Sequence, residues 1–166
     1  MPMLAYMKVV GQKSGNIKGS ATQKDNKDSI QVVGYSHEII VPRNAQSGMA
    51  TGQRMHKPLI VTKELDPSTP LFYNMLCNNE NLTSVTVKFY TAQLKSASGV
   101  SSSVNHYTIK VTNAHICTIE AVMAEDSHAE TTKGEETEKI SFTYEKIEWT
   151  WNDGGISAGD DWLVGT

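Results

Sequence analysis

The stretch 139–151, KISFTYEKIEWTW, alternates apolar and polar residues with a period of two, and the alternation changes phase once. Ile140, Phe142 and Tyr144 share one parity, while Ile147, Trp149 and Trp151 share the other. An unbroken strand would put one of these triplets in water, so a bulge is expected at 145–146. The segment 106–122 behaves the same way: Tyr107, Ile109 and Val111 alternate, then the apolar phase moves to Ala114 and Ile116, which predicts a bend near Asn113. A chain with two long strands that each change face must curl its sheet. Further strand patterns lie at 3–10, 29–41 and 59–63, and at 85–94, where Val85, Val87 and Phe89 oppose Thr86 and Lys88.

One short helix interrupts this pattern. Asp66-Pro67-Ser68-Thr69-Pro70 offers a capping side chain and a first-turn proline; Leu71, Phe72, Met75 and Leu76 then fall on one helical face, and Asn78 and Asn79 supply a stop. So short a helix must lean on a sheet. Four connections stand out. Residues 11–27 are polar and carry Gly11, Gly15 and Gly19. The loop 42–58, with Gly48 and Gly52, is long for a hairpin, and loops of that length are usually functional or disordered. The segment 125–138 carries six acids against one lysine and is expected to be solvated and mobile. From residue 152 the chain reads as a tail with Trp162 and Leu163 as apolar anchors. The expectation is one mainly β domain over 1–151, an antiparallel β-barrel or two-sheet sandwich with one short α-helix and a long extended loop, followed by a tail at 152–166.

The 166 residues carry a net charge of −3, which argues against a dedicated nucleic-acid binder: such a protein needs a basic stripe to release phosphate counterions. No apolar stretch approaches the roughly 18 residues of a membrane helix. The start, MPMLAYMKVV, has no basic region leading into a long apolar one and does not read as a secretory signal. Cys77 and Cys117 form no disulfide framework or metal knuckle; they read as small buried side chains, with pairing as the alternative.

Catalytic patterns are missing from the sequence. His37-Glu38 starts like H-E-x-x-H but continues Ile39-Ile40-Val41, and His128-Ala129-Glu130 matches H-x-E without the cysteines of a zinc deaminase. No phosphate-binding loop, nucleophile elbow or dinucleotide fingerprint occurs. Gly11, Gly15 and Gly19 do not lie in an apolar helix, and Asn81-Leu82-Thr83 fits a glycosylation acceptor, a triplet common by chance. His37, His106 and His115 are read as facing solvent or an interface. Arg54-Met55-His56-Lys57-Pro58 forms a polar cluster that is either a plain loop end or a docking contact. The residues alone leave two main classes, a subunit of a closed or stacked assembly and a ligand-binding barrel, and the strands are too polar for the large apolar pocket the second needs. No cofactor or metal is implied.

Several segments, in order, resemble the Hcp family, the haemolysin-coregulated proteins that build the inner tube of the bacterial type VI secretion system. They are Ile17-Lys18-Gly19-Ser20, Asp28-Ser29-Ile30-Gln31-Val32-Val33, Ser36-His37 and Gly52-Gln53-Arg54-Met55-His56. The most specific are the helix entry TKELDPSTPLFY and the strand SFTYEKIEWTW, and the resemblance runs from about residue 3 to 151. It implies a β-barrel protomer, hexameric rings stacked into a hollow tube, a contractile sheath around it, a spike protein at its tip, and effector proteins carried in the lumen. It also implies a protein that is made in the bacterial cytoplasm and leaves without a cleaved signal peptide, with no nucleic-acid partner, no membrane insertion and no enzymatic activity. Members with C-terminal effector domains are longer than this chain. A secreted effector-binding chaperone or adaptor that never polymerises is the alternative, and a small enzyme or toxin is a further one.

A ring needs a heterologous interface, one face meeting a different face of the next subunit. The long loop is the candidate for reaching a neighbour, with Ser47, Gly48, Gly52, Arg54, His56 and Lys57 as its inter-subunit or stacking residues. Lys24, Asp25, Lys27 and Asp28 could oppose Arg54, His56 and Lys57 to set register. Gln31, Tyr35 and His37 share one strand face and Ser36 and Glu38 the other; Ser36 is the candidate lumen residue.

Overall fold

The computed structural model describes residues 4–92, 103–123 and 136–162. Within them, β1 (Leu4–Gly11) and β2 (Gly15–Ile17) form a hairpin, and a 3-10 turn (Lys24–Asn26) leads to β3 (Ile30–Val32), β4 (Gly34–Ser36) and β5 (Ile39–Ile40). A long arm returns through β6 (Met55–His56) to β7 (Leu59–Glu64), followed by α1 (Thr69–Cys77). The remaining strands are β8 (Leu82–Ala92), β9 (Ser103–Met123), β10 (Glu136–Thr143), β11 (Lys146–Trp151) and β12 (Ile156–Asp161). The main sheet has the order β2-β1-β8-β9-β10-β7-β4, with β11 and β12 branching from β9 and β3 pairing β1.

The 21-residue β9 organises the sheet. One of its edges pairs β8; the other pairs β11 along residues 107–112 and then β10 along 115–123. Both expected changes of face occur along this seam. Asn113 takes a left-handed φ of 51°, so Val111 and Ala114, three positions apart, are both fully buried. Tyr144 and Glu145 separate β10 from β11, and this break sends both Phe142 and Ile147 inward. Closure comes from residues 30–36. Ile30–Val32 pair β1, the Val33 N–H donates to the Thr62 carbonyl at 2.8 Å, and Gly34–Ser36 pair β7. One kinked segment thus bridges the two ends of the sheet, giving a barrel-like architecture without a continuous ladder.

Helix α1 lies against β9 and contributes Phe72 and Met75 to the core. Burying each is worth roughly 1.5–3 kcal/mol. Its entry is tied to a buried ion cluster. Lys63 and Glu138, both with fully buried side chains, pair at 2.5 Å, and Lys63 Nζ also reaches Asp66 Oδ1 at 2.9 Å. Asp66 in turn accepts hydrogen bonds from the Ser68 backbone N–H at 2.9 Å and from the Ser68 hydroxyl. Asp66 thus orders the turn that enters the helix, while Ser68, at the N-cap position, makes no side-chain cap of its own.

Several expectations are corrected. Residues 29–41 are not one strand, because their pairing partner changes at Val33 and the chain leaves the sheet at His37. Leu71 is 42% exposed, since it flanks rather than centres the Phe72–Met75 face, and Trp151 is 46% exposed. Cys77 and Cys117 are unpaired and exposed, so neither is a core side chain. The region read as a tail contains β12, which pairs along the whole of β11. Most of the acidic segment 125–138, including His128, as well as Leu163 and the start of the 3–10 strand, lies outside the described residues.

Candidate assembly surface

The loop 42–58 is an ordered arm. Beyond the β5–β6 pair, Arg43 bridges Ala50, and the Thr51 N–H donates to the Pro42 carbonyl at 2.8 Å. At the tip, Asn44 Oδ1 accepts from the Gln46 and Ser47 N–H groups at 2.8 and 3.1 Å, a side-chain mimic of a backbone turn. Gly48 closes the turn at φ 69°, a left-handed conformation that favours glycine. Every residue from Arg43 to Gln53 is exposed. Three large apolar side chains on or beside the arm also face solvent: Val41 at 40%, Met49 at 70% and Met55 at 47%.

The base of the arm is fastened to the barrel by a chain of polar contacts. Arg54 donates to Asp160 through Nε at 2.5 Å and through the guanidinium Nη2 at 2.9 Å. His56 Nε2 meets Asp160 Oδ2 at 2.6 Å, and its Nδ1 lies 2.7 Å from the Tyr144 hydroxyl. His37 Nε2 approaches the same hydroxyl at 2.7 Å. Trp162 donates its indole N–H to the Tyr144 carbonyl at 2.6 Å, and its ring lies 5.6 Å from that of His56. The Arg54 hydrogen bond holds the Asp160 carboxyl below its usual range, with His56 adding to the effect. Burial, reinforced by the charge of Asp160, pushes the Tyr144 hydroxyl well above its usual value, so it stays protonated. Burial, with His56 adding to it, lowers His37.

The sequence candidates therefore divide. Ser47, Gly48 and Gly52 stand exposed on the arm. Lys57 is at its foot, half exposed and paired with Glu38 at 3.1 Å. Arg54 and His56 point back into their own chain. The His56 side chain is only 1% exposed, so it does not present itself to a neighbour, and Arg54 is engaged by Asp160. His37, expected to face solvent or an interface, is half-buried against Tyr144 and Trp149. Ser36 is exposed at the end of β4, opposite Ile60. Asp160, Tyr144 and Trp162 were not legible as partners of the arm, since more than 80 residues separate Tyr144 from His56 and more than 100 separate Asp160. The one available hint was the aromatic Trp162 in an otherwise polar terminal stretch.

Among the described residues, no helix is long and apolar enough to cross a membrane, and no cluster of His, Cys, Asp or Glu could hold a metal ion. The sequence profile of the family described as "Type VI secretion system effector, Hcp" matches residues 6–151. The major exported protein of Pseudomonas aeruginosa is 36% identical over 167 residues, covering 95% of this chain and 94% of its own length. A crystal structure of an Hcp protein superposes with a TM-score of 0.87 at 32% identity, covering 98% of this chain and 99% of that one. The Hcp1 protein of E. coli EAEC 042 gives a TM-score of 0.81 at 30% identity, covering 95% and 97%. The fold is thus shared with these solved structures over nearly the whole chain, and the chain belongs to the Hcp family of type VI secretion proteins.

Proposed function

We propose that this chain is the subunit of a type VI secretion inner tube: six copies close into a ring, rings stack into a hollow tube, and effector proteins travel in its lumen. Beyond family membership, the observation that carries this reading is the arm. It projects from the barrel, is ordered by its own hydrogen bonds, and exposes Val41, Met49 and Met55. Exposed apolar side chains on a stiff projection suit a surface that another protein covers. A neighbouring copy in the stacked ring is the occupant this reading assigns, with Ser47, Gly48 and Gly52 at the contact and Arg54 and His56 acting through the base of the arm.

On this reading the sheath encloses the tube, the spike protein caps it, and the protein is held in the bacterial cytoplasm until it is expelled without cleavage of a signal peptide. Ser36 is the proposed lumen residue, and a polar wall there lets cargo slide. The role is structural rather than enzymatic. Electron microscopy and native mass spectrometry of the purified protein test this: ring particles with a hexamer mass are expected, and a strict monomer at high micromolar concentration would sink the tube reading.

A further inference from the structure

The two histidines at the base of the arm share a single hydroxyl, and that limits how many protons they can hold. His37 Nε2 and His56 Nδ1 each lie 2.7 Å from the Tyr144 oxygen, and Tyr144 has one proton to give. Opposite the ionised Asp160, His56 Nε2 must carry hydrogen, because a carboxylate only accepts. With both imidazoles neutral, Tyr144 donates to His56 Nδ1 and accepts from His37 Nε2–H. A proton added at His56 Nδ1 reverses both bonds: His56 Nδ1–H donates to Tyr144, and Tyr144 donates to His37 Nε2, whose own proton moves to Nδ1 as the ring changes tautomer. Both bonds to the Tyr144 hydroxyl are still made. A second proton breaks the pattern. Both imidazolium N–H groups would then point at one oxygen, the tyrosine hydrogen would lose its acceptor, and two cations would face each other across a half-buried gap.

The charged groups around the pair do not relieve this. Among the described residues, Asp160 is the carboxylate bonded to the histidine pair, and Arg54 already takes both of its oxygens. Asp161 acts on Arg54, the Glu38–Lys57 pair at the foot of the arm is bonded to itself, and the faces toward β11 and the end of the chain are the rings of Trp149 and Trp162. His37 connects the outgoing limb of the arm to Tyr144, while Arg54 and His56 fasten the returning limb.

We propose that the base of the arm is an acid-sensitive latch: it stays closed with up to one extra proton on the His37–Tyr144–His56 group and releases the outgoing limb when a second proton arrives. Acid enters by way of His37, which burial disfavours as a cation. A group with its folded pKa depressed binds protons better in the opened state, so the latch is at full strength above about pH 6.5 and weakens as pH falls below it. An opening that takes up one extra proton becomes about tenfold more populated per pH unit. The latch itself does not depend on the tube reading; that its release would loosen stacked rings does.

Hydrogen exchange followed by mass spectrometry on peptides covering 38–57, corrected for the intrinsic pH dependence of exchange, tests the latch. The β8 peptides serve as an internal reference. Protection in the arm is expected to fall about tenfold or more between about pH 6.5 and about pH 5 while β8 stays protected. In His37→Gln, whose side-chain amide can donate to Tyr144 at every pH, that fall should vanish. If His37→Gln loosens the arm at all pH values, Tyr144→Phe is the second variant: without the shared hydroxyl, arm protection should be low at neutral pH and flat with acidification. Arm protection in the wild-type chain that does not change with pH, or an equal fall in His37→Gln, overturns the proposal. Native mass spectrometry on the same samples separates the two readings, because absent hexamers with a pH-sensitive arm count against the tube alone, and intact rings with a pH-insensitive arm against the latch alone.

Discussion

At the scale of single residues, the polar groups that matter most are the ones buried furthest from water. Lys63 and Glu138 have no exposed side-chain surface, and Glu138 Oε2 has no hydrogen-bond partner among the described residues. Glu138→Ala would leave the ammonium with Asp66 as its carboxylate partner, beside the Glu64 carbonyl and the Thr69 hydroxyl, and a loss of about 3–5 kcal/mol is expected from chemical denaturation. Tyr144→Phe strips the hydroxyl from between two histidines and should cost about 1–3 kcal/mol at neutral pH, read the same way. Trp149 packs against the core but is only half-buried, so Trp149→Ala should cost about 2 kcal/mol, less than truncation of the fully buried Phe142. The sequence was weakest at this scale. Parity assigned Ile140, Phe142 and Ile147 to the interior because a strand has just two faces. It could not place Cys117, which sits where the β9–β10 register slips, or Leu71, one position off the buried helical face.

At the scale of elements, local pattern predicted which segments form strands and said little about which strands they meet. The phase changes near Asn113 and Glu145 were visible because an inserted residue shifts every later side chain to the other face. The 29–41 run looked continuous because β-branched residues mark extended backbone whatever the partner, and its hand-over from β1 to β7 is a property of barrel closure. β12 was missed because Ile156–Asp161 (ISAGDD) has neither alternation nor β-branched density; its order comes from lying along β11. A backbone crossing gives this scale its prediction. A Cβ on Gly19 would meet the Ser29 carbonyl at 2.6 Å and Ile30 Cα at 2.8 Å. Both obstacles are backbone, so Gly19→Ala should lower stability by about 1–3 kcal/mol, and a thermal midpoint equal to the wild type would show that this crossing is loose.

At the scale of the whole molecule, the arm and the barrel are separable in sequence and joined by one cluster. Removing residues 47–52 takes away the tip and spares Arg54, His56 and Asp160. The barrel should keep its denaturation midpoint while the proposed tubes become shorter, and unchanged tube length by electron microscopy would argue against a stacking role. The exposure of Met49, 70% on the isolated subunit, has a chemical consequence. A thioether in water is open to peroxide, and its sulfoxide is polar where the thioether was apolar. If a neighbouring copy covers the arm, assembly shields this sulfur and oxidation blocks assembly, so the ratio of sulfoxide to thioether at Met49 becomes a chemical record of how much of the protein was assembled when the oxidant arrived.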